Sequence, residues 1–132
     1  MSVGPGISPP LRLFVVEDHA DTLIYLRMFL ESVGHQVSTA STMAEALAAF
    51  PQSQADVLIS DVGLPDGDGW ELLRRLRSTG PVYAIAMSGF GTPEEQAKSR
   101  EAGFRRHFVK PFHPADLESA LKDAAKERKA GG

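Results

Sequence analysis

The sequence contains no cysteine among its 132 residues. This absence excludes disulfide bridges, thiolate metal sites and a cysteine nucleophile. No apolar stretch approaches the roughly 20 residues that a membrane-spanning helix needs, and the formal net charge is only −3. A small negative charge gives no electrostatic reason to expect nucleic-acid binding. The composition therefore predicts a cytoplasmic protein whose partners are neither nucleic acid nor membrane.

The remaining composition is that of an ordinary globular protein, with 42% hydrophobic and 23% charged residues. The chain length suits one domain with a proper core. The first ten residues are rich in glycine, proline and serine, and they lack the basic start and apolar core of a signal peptide. We predict a flexible tail over residues 1–10, one domain over 11–126 and a second tail over 127–132.

Five short apolar runs predict strands, and five stretches with helical periodicity or capping signals alternate with them. The strands are predicted at residues 11–16, 36–40, 55–60, 82–87 and 105–109. The helices are predicted at residues 18–33, 44–50, 68–77, 92–103 and 114–126. Thr42, Asp68 and Thr92 are expected to cap the second, third and fourth of them, and Pro51 is expected to stop the second. Strict alternation with short loops is typical of an α/β protein with a doubly wound parallel sheet.

Polar groups follow four of these strands at the point where each one ends. Glu17 and Asp18 follow the first strand, Asp61 the third, Ser88 the fourth and Lys110 the fifth. A charged group left unpaired in apolar surroundings costs several kcal/mol or more, so these positions are not accidental. Because ligands bind outside the carboxyl ends of parallel strands, we expect these side chains to meet at one edge of the sheet.

These residue types suit phosphoryl-transfer chemistry. Magnesium prefers oxygen ligands, so Asp18 and Asp61 are candidates for direct coordination and Glu17 for coordination through water. A carboxylate beside Mg²⁺ and Lys110 can attack a phosphoryl group, because the metal and the ammonium stabilise charge on the transferring oxygens. Ser88 can then donate a hydrogen bond to the new phosphoryl group.

The order and spacing of four motifs carry a family resemblance. The motifs are Glu17-Asp18, Asp61 followed by Leu64-Pro65 and Gly69, Met87-Ser88-Gly89, and Lys110-Pro111-Phe112. With them, the chain resembles the receiver domain of two-component response regulators of the single-domain, chemotaxis-regulator-like type, from about Leu11 to Lys126. The resemblance implies a five-stranded (βα)5 flavodoxin-like fold with strand order 2-1-3-4-5.

The resemblance also implies roles for the acidic residues. Asp61 would be the phosphoacceptor, and the donor would be a sensor histidine kinase or a histidine phosphotransfer protein. The cofactor would be Mg²⁺ or Mn²⁺, held by Glu17, Asp18, Asp61 and the backbone carbonyl of Gly63.

The resemblance also implies which residues respond to phosphorylation; we call this set of residues the switch. By resemblance, Lys110 contacts the phosphate, Ser88 is the switch hydroxyl, and the Lys110-Pro111 bond is cis, an option that only an X-Pro bond takes readily. The family's switch aromatic falls at His107, whose charge near neutral pH is expected to make the switch pH-sensitive. The output surface for a downstream protein would be the fourth helix, the fifth strand and the fifth helix.

Two other classes of function compete with a phosphorylation-controlled signalling domain. Phosphatases and phosphotransferases that resemble haloacid dehalogenases need a second acid two residues after the nucleophile, where this chain has Gly63. We therefore expect no enzyme beyond phosphorylation and dephosphorylation of the protein itself. The alternative is a degenerate receiver, a binding module that works without phosphorylation, although the complete set of acids, serine and lysine argues against it.

The other conspicuous side chains are assigned structural roles. His19, His35 and His113 show no pairing typical of metal ligands and are predicted to lie at the surface or in loops. Trp70 and Phe112 are predicted to be packing residues.

Overall fold

The computed structural model describes residues 10–131, and their side chains as far as residue 128. Five parallel strands form one sheet in the order β2-β1-β3-β4-β5. They are β1 (Arg12–Val16), β2 (Gln36–Ala40), β3 (Val57–Asp61), β4 (Tyr83–Ser88) and β5 (Arg106–Val109). The predicted fold class and strand order are thus confirmed, and β2 lies at one edge of the sheet.

Five helices connect and follow these strands. They are α1 (Ala20–Ser32), α2 (Met43–Ser53), α3 (Gly69–Arg77), α4 (Pro93–Ala102) and α5 (Pro114–Gly131). The predicted capping signals work as expected, because the side chains of Thr42, Asp68 and Thr92 each accept a hydrogen bond from the backbone N–H three residues later. Within residues 10–131, none of the helices has both the length and the apolar character that crossing a bilayer requires.

The core has two halves, one on each face of the sheet. Successive strand residues point to opposite faces, so Leu13 and Val15 join one half while Phe14 and Val16 join the other. The first half packs against α1 and α5, and the second against α2, α3 and α4. Both faces of β3 are buried, which explains why its sequence is continuously apolar from Val57 to Ile59.

Three details differ from the predicted elements. Pro51 does not stop α2, which continues to Ser53; the proline lies in the last turn, where it removes a single backbone donor. The last helix continues past the predicted end at Lys126 to Gly131, through alanine, lysine, glutamate and arginine, all good helix formers. The predicted loop after β3 contains a small antiparallel pair, Gly63–Leu64 with Gly67–Asp68.

Most of the predicted N-terminal tail lies outside the described residues. The domain limits at residues 11 and 126 stay a prediction.

Candidate functional site

The site lies at the carboxyl edge of the sheet, where β1, β3, β4 and β5 end side by side. Parallel pairing aligns Val16 with Ser60, Asp61 with Met87, and Ser88 with Val109. This pairing therefore brings four residues at or directly after the strand ends to one edge, as the sequence predicted. They are Glu17, Asp61, Ser88 and Lys110. The backbone N–H of Lys110 also donates to the carbonyl of Ser88 at 2.7 Å, which ties the fifth strand end to the fourth.

Lys110 is the centre of the charged cluster. Its Nζ donates to Asp61 Oδ2 at 2.8 Å and also contacts Glu17 Oε1 closely. Burial alone would lower the pKa of Lys110, but the bonds to Asp61 and Glu17 outweigh it and raise the pKa above its usual value. The ammonium is therefore firmly charged at neutral pH. The Lys110-Pro111 bond is cis, as the resemblance implied.

Glu17 is fully buried, and both of its carboxylate oxygens have partners. Oε1 contacts Lys110, while Oε2 accepts a hydrogen bond from the backbone N–H of His19 at 3.1 Å. Burial raises the pKa of Glu17, and the bonds from Lys110 and His19 oppose that effect. Both oxygens of this carboxylate are thus bonded within the protein, which fits the predicted role of contacting a metal through water rather than directly.

Asp18 is the accessible acid of the pair, with 37% of its side chain exposed. Glu17, Asp18 and His19 each offer a ligand atom, and these atoms lie within 4.8 Å of one another. The oxygen atoms in this group are of the kind that Mg²⁺ prefers, so the donor set fits the predicted ion. Asp61 was predicted to share this cluster; in the part of the chain described, it is bonded to Lys110 and is not among the clustered ligands.

The loop after β3 fixes the position of Asp61. Its Oδ1 has only a long contact, 3.4 Å from the backbone N of Gly63. The N–H of Gly69 donates to the carbonyl of Val62 at 2.7 Å, which closes the loop. A Cβ on Gly69 would lie 2.5 Å from the carbonyl oxygen of Asp61, so only glycine allows this close approach.

Ser88 and His107, the two residues predicted to form the switch, are in contact. The Ser88 hydroxyl lies 2.7 Å from Nε2 of His107 and is bonded closely to the carbonyl oxygen of Phe90. Burial lowers the pKa of His107 below 6.5, although the charge of Glu95 and the Phe90 carbonyl oppose this shift. This shift favours the neutral imidazole at pH 7, and the pH sensitivity of the switch stays a prediction.

Two polar contacts in this region, both made by Ser99, were not predicted from the sequence. Ser99 is buried on α4, and its Oγ lies 2.8 Å from Nδ1 of His107. The indole N–H of Trp70 donates to the same Oγ at 2.9 Å. Nothing in the sequence marks a single helical serine as a contact of a residue eight positions away in the next strand. Trp70 does pack against the core half that faces α3 and α4, as predicted.

His35 is not the surface or loop residue that was predicted. Its side chain is completely buried. Nδ1 accepts a hydrogen bond from the backbone N–H of Leu11 at 3.1 Å, so Nε2 carries the proton toward Glu118 Oε1, 3.0 Å away. His35 is a structural clamp between the start of the sheet and α5. The prediction does hold for His19, which is exposed at the site.

Comparison with known proteins agrees with this geometry. The family model for the response regulator receiver domain matches residues 13–122. A receiver domain protein from Methanospirillum hungatei JF-1, described as CheY-like, superposes with a TM-score of 0.88 and 29% identity, covering 94% of this chain and 100% of that one. The BeF3-activated DrrB receiver domain superposes with a TM-score of 0.81 and 28% identity, covering 89% of this chain and 99% of that one.

Sequence relatives point the same way. The KDP operon transcriptional regulatory protein KdpE of Escherichia coli is 32% identical over 119 residues, which is 90% of this chain and 53% of that protein. A 14.6 kDa protein of Leptolyngbya boryana is 33% identical over 110 residues, 81% of this chain and 84% of that one. The chain thus spans about half the length of the transcriptional regulator.

This chain belongs to the response regulator receiver domain family, and it is a receiver domain of a two-component system. Its fold is that of a signalling domain and not of a classical enzyme family.

Proposed function

We propose that Asp61 accepts a phosphoryl group from a phosphohistidine. The observation that carries this proposal is the bond of Lys110 Nζ to Asp61 Oδ2 at 2.8 Å, made at the same sheet edge as the Ser88 hydroxyl. Oδ1 of Asp61 has no comparably short bond, and we assign it as the nucleophile. It attacks phosphorus, the bond from phosphorus to the imidazole nitrogen breaks, and the electron pair leaves with that nitrogen.

The residues around Asp61 have distinct tasks in this transfer. Lys110 stabilises negative charge on the phosphoryl oxygens, and Ser88 gives up its bond to Phe90 to donate to one of them. Asp18, Asp61 and the carbonyl of Gly63 would hold Mg²⁺ or Mn²⁺, with Glu17 acting through water. When bound, the metal neutralises charge on the transferring group.

The test is phosphorylation by a small donor. The protein is incubated with acetyl phosphate and Mg²⁺, and its intact mass is recorded beside that of Asp61→Asn. We expect a phosphoryl adduct that needs the metal, is cleaved by hydroxylamine as an acyl phosphate, and is absent from the variant. Asp18→Asn should form the adduct only at much higher Mg²⁺, because it removes the accessible ligand. Without an adduct, and without beryllofluoride binding, a degenerate receiver that binds its partner independently of phosphorylation becomes the better account.

The donor protein must approach the site from outside, and an apolar surface lies next to it. Ile24, Tyr25 and Met28 of α1 are between 56% and 66% exposed. Tyr25 and Lys110 line the same groove of about 370 Å³. We infer that this face of α1 receives the sensor kinase or the phosphotransfer protein. Met28→Glu should slow transfer from a phosphorylated histidine phosphotransfer protein while labelling by acetyl phosphate stays normal; equal slowing of both would contradict this assignment.

The output surface is proposed to be α4, β5 and α5, because His107 of β5 contacts the Ser88 hydroxyl directly. Movement of Ser88 toward a phosphoryl group changes the partner of His107 and biases this face between two arrangements. A cytoplasmic location, and partners that include neither nucleic acid nor membrane, stay predictions from the sequence.

A further inference from the structure

A continuous chain of hydrogen bonds runs from α3 to the switch hydroxyl. The indole Nε1 of Trp70 lies 2.9 Å from Ser99 Oγ, and Ser99 Oγ lies 2.8 Å from His107 Nδ1. His107 Nε2 lies 2.7 Å from Ser88 Oγ, which is bonded in turn to the carbonyl oxygen of Phe90. Four elements, α3, α4, β5 and β4, are joined through side chains alone.

The direction of every bond in this chain follows from its two ends. An indole N–H can only donate and a carbonyl oxygen can only accept. Ser88 therefore gives its proton to Phe90 and receives one from Nε2 of His107. Since the neutral imidazole carries one proton, Nδ1 must accept, and Ser99 donates to it while accepting from Trp70. Each hydrogen bond is thus donated in the direction that leads from the Trp70 indole toward Ser88.

Burial makes this chain hard to break at a single point. Ser99 is 1% exposed and Ser88 is 3% exposed, so neither hydroxyl can exchange a lost protein partner for bulk water. A buried donor left without a partner costs the full desolvation penalty. Displacement of Ser88 must therefore be followed by His107, or by a rearrangement at Ser99.

We propose that Trp70 is a positioning residue, and that through Ser99 and His107 the state of Ser88 is transmitted to α3. This adds a surface beyond α4, β5 and α5 at which a partner could read the switch. The inference rests on the proposed function, since phosphorylation of Asp61 is what displaces Ser88.

The chain can be followed directly because Trp70 is the single tryptophan of the sequence. Its indole N–H gives one proton–nitrogen resonance, which is recorded before and after addition of Mg²⁺ and beryllofluoride. We expect the resonance to shift on activation. We expect the shift to be lost in Ser99→Ala, which removes the hydroxyl that joins the indole to the imidazole.

Lys98→Gln is the matched control. The Lys98 ammonium lies 5.2 Å from the centre of the Trp70 ring, so this change alters the surroundings of the indole without touching the chain. The activation shift should survive in Lys98→Gln. If it survives equally in Ser99→Ala, or is lost in Lys98→Gln, the indole responds by another route and the inference is wrong.

A second measurement on the wild-type protein needs no variant. The nitrogen chemical shifts of His107 should identify the tautomer with the proton on Nε2, and the opposite tautomer would overturn the direction of the chain. Failure of the proposed function looks different, because neither beryllofluoride nor acetyl phosphate would then modify any resonance at Asp61. Binding at Asp61 with an unmoved indole resonance would overturn the inference alone.

Discussion

Lys110→Met is the substitution whose effect on stability follows most directly from the site. It leaves the fully buried Glu17 carboxylate and Asp61, 12% exposed, without their shared cation. Removing one partner of a buried ion pair costs about 3–5 kcal/mol. Because the Lys110 side chain is 25% exposed, solvent reduces this cost, and we expect about 2–3 kcal/mol of lost unfolding free energy. For a domain of this size, that corresponds to a melting temperature lower by about 8–12 °C.

The assay is urea unfolding without added metal at several pH values. Protonation removes the unpaired charge of Glu17, so the difference between wild type and Lys110→Met should shrink as the pH falls. Lys126→Met, which changes an exposed lysine of α5, should alter the unfolding free energy by no more than about 0.5 kcal/mol. If Lys110→Met is equally mild, and its effect does not depend on pH, the ion pairs do not hold the site together.

Three further predictions concern residues around the site and the core. Gly69→Ala should destabilise the protein by about 1–3 kcal/mol in urea unfolding, because the new Cβ would lie 2.5 Å from the Asp61 carbonyl oxygen; an unchanged midpoint would refute this crowding. His35→Phe should cost about 1–3 kcal/mol by the same assay, since it orphans the backbone N–H of Leu11, and a neutral result would contradict the clamp. Burial lowers the pKa of His107, so its contribution to stability is complete above pH 6.5 and is lost as the pH falls from 6.5 toward the lowered pKa. His107→Gln should remove that part of the pH dependence, and an identical pH profile would count against a buried neutral imidazole.

The sequence predicted the sheet and its reactive edge for a physical reason. A buried parallel strand must be apolar, so the charged residues that end such strands stand out, and parallel pairing brings those ends together. Glu17, Asp61, Ser88 and Lys110 could all be placed in this way. The helix starts at Thr42, Asp68 and Thr92 followed from local capping chemistry, which needs no knowledge of the tertiary fold.

The contacts that were missed depend on tertiary packing. The Trp70 indole contacts Ser99, which lies 29 positions further along the sequence, and no local sequence pattern predicts this contact. His35 follows a helix-ending glycine, where loops are usual, yet Leu11 and Glu118 supply partners that let it be buried. Pro51 was expected to end α2, yet the helix continues to Ser53. In the last turn the proline removes only a single backbone donor, which a local sequence rule does not take into account.

The most direct test of the central claim is chemical trapping of the acyl phosphate. After treatment with acetyl phosphate and Mg²⁺, reduction with borohydride converts an aspartyl phosphate to homoserine, which peptide sequencing by mass spectrometry locates. We predict homoserine in place of Asp61 and unmodified Asp18 and Glu17. Homoserine at Asp18, or a stable phosphate ester on Ser88 in place of any trapped acid, would contradict the assignment of Asp61 as the phosphoacceptor.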